Sequence, residues 1–104
     1  MSIATSNIGN TVGNIYVSGG NTAITWLTLN NYTANTVSAN VHAVPAGNTA
    51  NAQNLILTNV ELTGFDTYQI YAAGEKLLLS NNDSIQAVAN STGNLNAVVS
   101  YTTI

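Results

Sequence analysis

Apolar and polar residues alternate with a period of two along most of the chain. Between residues 36 and 45, Val37, Ala39 and Val41 share one face, while Ser38 and Asn40 share the other. This period is typical of a β-strand with one buried face. It predicts seven or eight strands, over residues 11–17, 22–31, 36–45, 54–62, 67–72, 76–79, 84–89 and 94–104, of which 76–79 is the shortest.

Glycine–asparagine pairs separate several of these runs and predict turns between them. Glycine supplies the positive φ that tight turns require, and asparagine tolerates the same conformation. The pairs begin at Gly9, Gly13, Gly20, Gly47 and Gly93. Short strands at intervals of about 8–12 residues are typical of antiparallel sandwiches and small barrels. We therefore predict an all-β fold, an antiparallel β-sandwich.

The chain has 104 residues, which is the size of a single domain with one core. It contains no cysteine, so neither disulfides nor thiolate metal sites are expected. Residues 15–104 carry the strand pattern, and we expect the sandwich there. Residues 1–14 are rich in Gly and Asn, and we expect a flexible arm or one that becomes ordered on a neighbouring subunit. The first residues do not show a basic region followed by an apolar stretch, so no signal peptide is expected.

Two predicted strands are apolar on both faces, whereas a two-layer sandwich buries one face of each strand. One face of these strands carries Ile24, Trp26, Leu55 and Leu57, and the other carries Leu27, Leu29, Ile56, Val60 and Leu62. A neighbouring subunit covers the second face, or else a β-bulge or a curled barrel brings its side chains into the core. With a neighbouring subunit, the candidate interface comprises Ile24, Trp26, Leu55, Leu57, Glu75 and Lys76.

Charged residues are scarce, at 5% of the chain, with one lysine against four acids and a net charge of −3. Non-specific binding to nucleic acid or to an anionic membrane requires several Lys or Arg side chains, so neither partner is expected. Lys76 beside Glu75 is either a solvated pair in a turn or an inter-subunit salt bridge. With so few ionisable groups, we expect no enzymatic activity and no cofactor.

The remaining candidates for chemistry also have structural explanations. His42 is the only imidazole, and a catalytic triad would require an activated serine and either Asp66 or Asp83 beside it. The Gly-x-Ser-x-Gly motif is absent. Residues 81–84 (Asn-Asn-Asp-Ser) offer oxygen ligands, but Ca²⁺ takes about six to eight and one carboxylate makes a poor cage. We expect a surface or interface histidine, a tight turn at 81–84 and no metal.

The aromatic residues allow two interpretations. Together they form a platform on which sugars stack, or Trp26 anchors the core of its strand. The residues concerned are Trp26, Tyr16, Tyr32, Tyr68, Tyr71 and Tyr101. Trp26 lies inside an apolar run, which favours the core.

Four segments between Asn21 and Ile104 follow a common pattern of strands and turns. They read NVHAVPAG (40–47), NLILTNVEL (54–62), GEKLLLSNNDSIQAVA (74–89) and NAVVSYTTI (96–104). In this order the chain resembles a group of small accessory virion proteins of tailed bacteriophages, over about four-fifths of its length. Residues 1–14 do not match that group.

The resemblance implies an immunoglobulin-like or jelly-roll-like sandwich and a structural role in the virion. Such a protein decorates or cements the capsid through protein–protein contacts, as a homo-oligomer whose main partner is the major capsid protein. The group carries no catalytic residues, so none are transferred to this chain. The alternative is a component of the neck, tail or fibres that acts as a receptor- or glycan-binding module.

Overall fold

Nine strands and one short 3-10 helix form the regular structure of residues 2–70, 76–91 and 95–104, which are the residues that the computed structural model describes. The strands are β1 (Ser2–Ile8), β2 (Gly13–Val17), β3 (Thr22–Asn31), β4 (Val37–Val44), β5 (Leu55–Leu62), β6 (Thr67–Ile70), β7 (Leu77–Leu79), β8 (Ser84–Ala89) and β9 (Leu95–Thr103), and the 3-10 turn is Ala52–Asn54. They form two antiparallel sheets packed face to face. The predicted all-β sandwich is confirmed, with nine strands instead of seven or eight.

The strand order is that of a jelly roll. Sheet A has the order β1-β9-β3-β6, with β7 also paired to β3, and sheet B has the order β2-β8-β4-β5. The strand pairs are nested along the sequence. β4 pairs with β5 at the centre, β3 pairs with β6 and β7 on either side of them, β2 pairs with β8 outside those, and β1 pairs with β9 outermost. These pairs fall alternately in sheets B and A, as in a ribbon of two strands wrapped into a jelly roll. An immunoglobulin-like order would place β1 and β2 in one sheet.

The core lies between the sheets and is built by the alternating positions that the sequence indicates. Sheet A contributes positions such as Leu27 and Val99, and sheet B contributes positions such as Val41 and Ile85. The buried cluster consists of Ile8, Ile15, Ile24, Leu27, Leu29, Val37, Ala39, Val41, Leu62, Leu79, Ile85, Ala87, Ala89, Leu95, Ala97 and Val99. Burial of these side chains, at about 25 cal/mol per Å² of apolar area, is the main stabilising contribution.

The segment expected to be an arm, residues 1–14, contributes strands to the sandwich of its own chain. β1 pairs with β9 over all seven of its residues, from Ser2 opposite Tyr101 to Ile8 opposite Leu95. Ile8 is buried in the core, and the chain crosses to sheet B at residues 9–12 before β2. The main-chain hydrogen bonds of β1 and the burial of Ile8 hold this segment, so the described part of the sandwich begins at Ser2 instead of at residue 15.

Bulges explain the strands that are apolar on both faces. In β3 the register with β9 shifts between Ile24 and Trp26, which sends Ile24 inward and Trp26 outward. In β5 two register shifts relative to β4 bring Leu57 and Val60 to the core side. Of the explanations that the sequence left open, the bulge therefore holds for the two strands, because each extra residue reverses the alternation beyond it.

Candidate interaction surfaces

The candidate interface residues do not form one patch. Ile24 is 0% exposed and belongs to the core, which corrects its assignment to an interface. Trp26 is half-buried on the outer face of sheet A, and this corrects the expectation that it anchors the core. Leu55 and Leu57 are half-buried in β5 at the far edge of sheet B, and Leu57 packs against the core.

Of the two charged candidates, the structure describes Lys76, which lies next to β7. Lys76 is exposed and precedes Leu77, which pairs with Ile24 of β3. Glu75 lies outside the described residues, and so does Tyr71. The proposed salt bridge of Lys76 with a neighbouring subunit stays a prediction.

In the part of the chain that the structure describes, the strands of sheet A carry no side chain that is charged at neutral pH. Its strands β1, β3, β6, β7 and β9 contain no Asp, Glu, Lys, Arg or His. Glu61 and His42 lie in sheet B, and Asp66 and Asp83 lie in turns. Within the described ranges, no three His, Asp or Glu side chains come together as a metal-ligand set.

The outer face of sheet A is instead a regular array of amides, hydroxyls and a few apolar groups. Strand register places side chains in rows across the sheet: Ile3, Ser100 and Trp26; Thr5, Val98, Thr28 and Gln69; Asn7, Asn96, Asn30 and Thr67. In the last row, Asn30 Nδ2 donates to Asn96 Oδ1 (3.1 Å) and Thr67 Oγ1 donates to Asn30 Oδ1 (2.9 Å). Side-chain bonds along the row hold its polar groups in place and leave a surface without charge.

Asp83 organises the turn at residues 80–83. Its Oδ1 accepts the backbone N–H of Ala46 (2.9 Å) and its Oδ2 accepts that of Ser80 (2.8 Å). The carboxylate therefore ties the loop after β4 to the loop after β7. Both carboxylate oxygens already accept backbone N–H groups. Residues 81–84, which the sequence offered as a possible calcium loop, therefore have a structural explanation as a turn.

His42 fastens the loop between β4 and β5 to sheet B. The residue is 7% exposed, and its Nδ1 lies 3.0 Å from the carbonyl oxygen of Asn51 and 2.8 Å from Asn54 Oδ1. Asn54 Oδ1 also accepts the N–H of Asn51, and Asn54 Nδ2 donates to the carbonyl of Thr49. Both neighbours of Nδ1 are therefore acceptors, so Nδ1 carries the proton. A triad would have a carboxylate at this nitrogen, and here His42 holds a loop.

Three aromatic side chains, Tyr32, Phe65 and Tyr68, are exposed at one end of the sandwich, and we call them the aromatic tip. Phe65 is 72% exposed and has a φ of 62°. Its N–H donates to the carbonyl of Thr33 (2.9 Å), which joins the loop after β5 to the loop after β3. Left-handed φ is uncommon for a bulky residue and often marks a functional or strained site.

Asn31 and Gly64 hold the loop after β3 against the loop after β5. Asn31 is 0% exposed, and its Nδ2 donates to the carbonyls of Asn35, Leu62 and Thr63 at 2.6–3.2 Å. Its Oδ1 accepts the N–H and hydroxyl of Thr33. A Cβ at Gly64 would lie 2.7 Å from the carbonyl carbon of Ala34, so only glycine fits between the two loops.

The other described aromatic residues lie elsewhere, so the five described members of the candidate set do not form one platform. Tyr16 and Tyr101 contact each other beside the core, with ring centroids 4.5 Å apart. Trp26 stands by itself among the rows of sheet A, whereas Tyr32 and Tyr68 join Phe65 at the tip. Sequence reasoning missed Phe65, although its position in a Thr-Gly-Phe-Asp turn was a signal: an apolar residue in a turn has no strand to bury it.

Comparison with known proteins gives no family. No protein-family model matches the chain, and no curated protein or solved structure matches it either. No helix in the described residues has the length and apolar character needed to cross a membrane.

Proposed function

We propose that the chain is a non-enzymatic structural protein of a bacteriophage virion that decorates or cements the capsid through protein–protein contacts. The observation that carries the proposal is the outer face of sheet A, to which the described strands contribute no charged side chain. A charge-free face of amides, hydroxyls and apolar groups gives few opportunities to bind charged ligands. It suits another protein surface, because burying it desolvates no charge.

The mechanism of such a protein is the burial of surface. A stable protein contact covers about 800 Å² on each partner. Contacts that span neighbouring copies of the major capsid protein would have to be broken before the shell could open. Each copy adds a small stabilising free energy at its own contact, and the total for the particle grows with the number of copies. The resemblance to accessory virion proteins supports this role, and jelly rolls also occur in viral capsid proteins.

The test is to count and remove the chain. Quantitative mass spectrometry of purified virions is expected to find hundreds of copies in each particle. Particles made without the gene should lose their DNA at a lower temperature, and added wild-type protein should restore the wild-type value. A count of about a dozen or fewer would move the chain to the neck, tail or fibres, and absence from the particle would refute the assignment.

A second candidate function is a receptor- or glycan-binding module of the neck, tail or fibres, which the aromatic tip favours. Phe65 is exposed on a loop that is hydrogen-bonded to the loop after β3, and Tyr68, three residues further along the chain, is exposed as well. Aromatic faces stack on the apolar faces of neutral sugars. The fold is compatible with both functions, since jelly rolls occur in lectins as well as in capsid proteins.

The aromatic tip is tested by glycan-array binding of wild type and Phe65→Ser. If the tip binds sugar, the variant loses the signal and stays folded. Leu78→Ser is the matched control, because Leu78 is 64% exposed on β7, away from the tip. Equal binding by wild type and Phe65→Ser, or no binding by wild type, would reject this function.

A further inference from the structure

The four outermost strand positions of the sandwich differ in how they are protected from pairing with another strand. Edge strands leave half of their N–H and C=O groups free, and natural proteins shield them with bulges, charges, short length or covering segments. The edges in the described residues are β1 and the β6/β7 position in sheet A, and β2 and β5 in sheet B.

Three of these edges carry such a device. β5 has two register shifts and a residue with left-handed φ, Asn59, whose N–H donates to Asn40 Oδ1. β2 has only five residues and a register shift between Asn14 and Tyr16. The position beside β3 is divided between β6 with four residues and β7 with three, and the exposed Lys76 precedes β7.

Within the described residues, β1 has no bulge and no charge, and it is not short. Its seven residues pair with β9 without any register shift, and its sequence, SIATSNI, contains no charge, proline or glycine. Ile3, on its outer face, is 69% exposed. A long, regular, uncharged edge with an exposed apolar side chain is a template for a further strand.

A second copy of β1 fits this edge. Antiparallel pairing about a twofold axis at Thr5 gives every residue of β1 a partner, because residues whose numbers add to 10 then face each other. Thr5 faces the partner subunit's Thr5, a favourable cross-strand pair. Ile3 faces the partner subunit's Asn7. No like charges meet, because β1 contains no charged residue.

We propose that two copies of this chain associate through β1, so that the two A sheets form one continuous antiparallel sheet about a twofold axis at Thr5. The joined outer faces double the charge-free surface. This pairing follows from the properties of the β1 edge and is independent of the proposed function.

The absence of cysteine makes the register directly testable. Opposed residues in antiparallel strands have Cβ atoms about 4.5–5.5 Å apart, within reach of a disulfide after small shifts. Thr5→Cys should therefore form a disulfide-linked dimer under mild oxidation. Thr28→Cys is the matched control, since Thr28 lies in the same row two strands further in and should remain monomeric on a non-reducing gel.

A mixture distinguishes this register from chance collision. Ile3→Cys should not link to itself, because the two copies of that residue would be roughly 13 Å apart at about 3.3 Å per residue. It should link to Asn7→Cys when the two variants are mixed. Strong self-linking of Ile3→Cys would overturn the register.

Charge provides the second test, on protein without cysteine. Analytical ultracentrifugation of wild type should give twice the 10.8 kDa mass of the chain. Thr5→Lys places two cations face to face and should raise the dimer Kd by about tenfold or more, while Thr28→Lys leaves it unchanged. Mixing Thr5→Lys with Thr5→Glu should restore the dimer. A wild-type monomer at all concentrations, or a dimer that Thr5→Lys does not weaken, would overturn the proposal.

Discussion

The two sheets of this jelly roll use polar residues in different ways. On sheet A, asparagine and threonine side chains stand in rows on the outer face, and the strands carry no charge. On sheet B, polar side chains hold loops: His42 binds the segment 49–54, and Asn40 binds the bulge at Asn59. The difference teaches that a low-charge composition serves two purposes. On the outer face of sheet A it leaves a surface open for contact. At His42 and Asn40 of sheet B, as at Asn31 at the end of β3, neutral polar groups hold loops in place.

The largest expected effect sharpens the comparison between the two faces of sheet A. Ile24→Ala should lower the free energy of unfolding by about 2–5 kcal/mol, because it leaves a cavity in the core. Trp26→Ala, two residues away on the outer face, should cost only about 1–2 kcal/mol, because part of the ring is already in water. Urea denaturation measures both. A larger loss for Trp26→Ala would contradict the bulge that separates them.

The next effect concerns the end where sheet A meets the loop after β5. Asn31→Ala should cost about 3 kcal/mol or more, because it leaves buried carbonyl groups and an N–H without partners. The matched control is Asn30→Ala, its neighbour in β3, which faces outward and should cost about 1 kcal/mol or less. Similar losses for the two variants, measured by thermal and urea unfolding, would show that the Asn31 network is not needed to hold the loops.

In sheet B, loss of the His42 imidazole is expected to lower the free energy of unfolding by an intermediate amount. His42→Ala should cost about 1–3 kcal/mol, because the loop loses its anchor on β4. Faster amide hydrogen exchange at residues 46–54 should accompany the loss. Gln86→Ala is the control, since Gln86 is the register partner of His42 on the same face and its side-chain amide donates to Ser84 Oγ. Unchanged exchange in His42→Ala would refute the anchoring role.

The smallest effect on stability is the most informative about function. Thr28→Lys should change the free energy of unfolding by less than about 0.5 kcal/mol, as is usual for surface substitutions. If the face of sheet A contacts the capsid, the variant should fail to restore the thermal stability of particles that lack the chain. Gln86→Lys, the same change on the outer face of sheet B, should restore it. Equal restoration by both would remove the functional distinction between the sheets.

Much of the secondary structure could be read from the chain because burial of one strand face imposes a period of two. The predicted ranges 22–31 and 84–89 agree with β3 and β8, and 36–45 and 54–62 exceed β4 and β5 by one residue at one or both ends. β1 was missed because its pattern is weak. Its inward positions include the polar Ser6, and its apolar Ile3 points outward. The paired strand β9 supplies the hydrogen bonds that the sequence of β1 does not predict.

The candidate surfaces were less predictable than the strands. Ile24 and Trp26 share one face by simple alternation, and a single bulge separates them into core and surface. The aromatic tip depends on two loops that are about thirty residues apart in sequence and meet through Asn31 and the N–H of Phe65. No local sequence pattern predicts the contact between these two loops.

The sequence by itself determined that this protein is an all-β sandwich with almost no charge, since alternation, turn residues and composition are local properties. Only the tertiary structure decided the jelly-roll order, the inward turn of Ile24, the place of β1 at an unprotected edge and the exposure of Phe65. These depend on which strands pair and where an extra residue is inserted. Pairing between distant strands is selected by the packing of the whole core, and one inserted residue reverses every side chain that follows it.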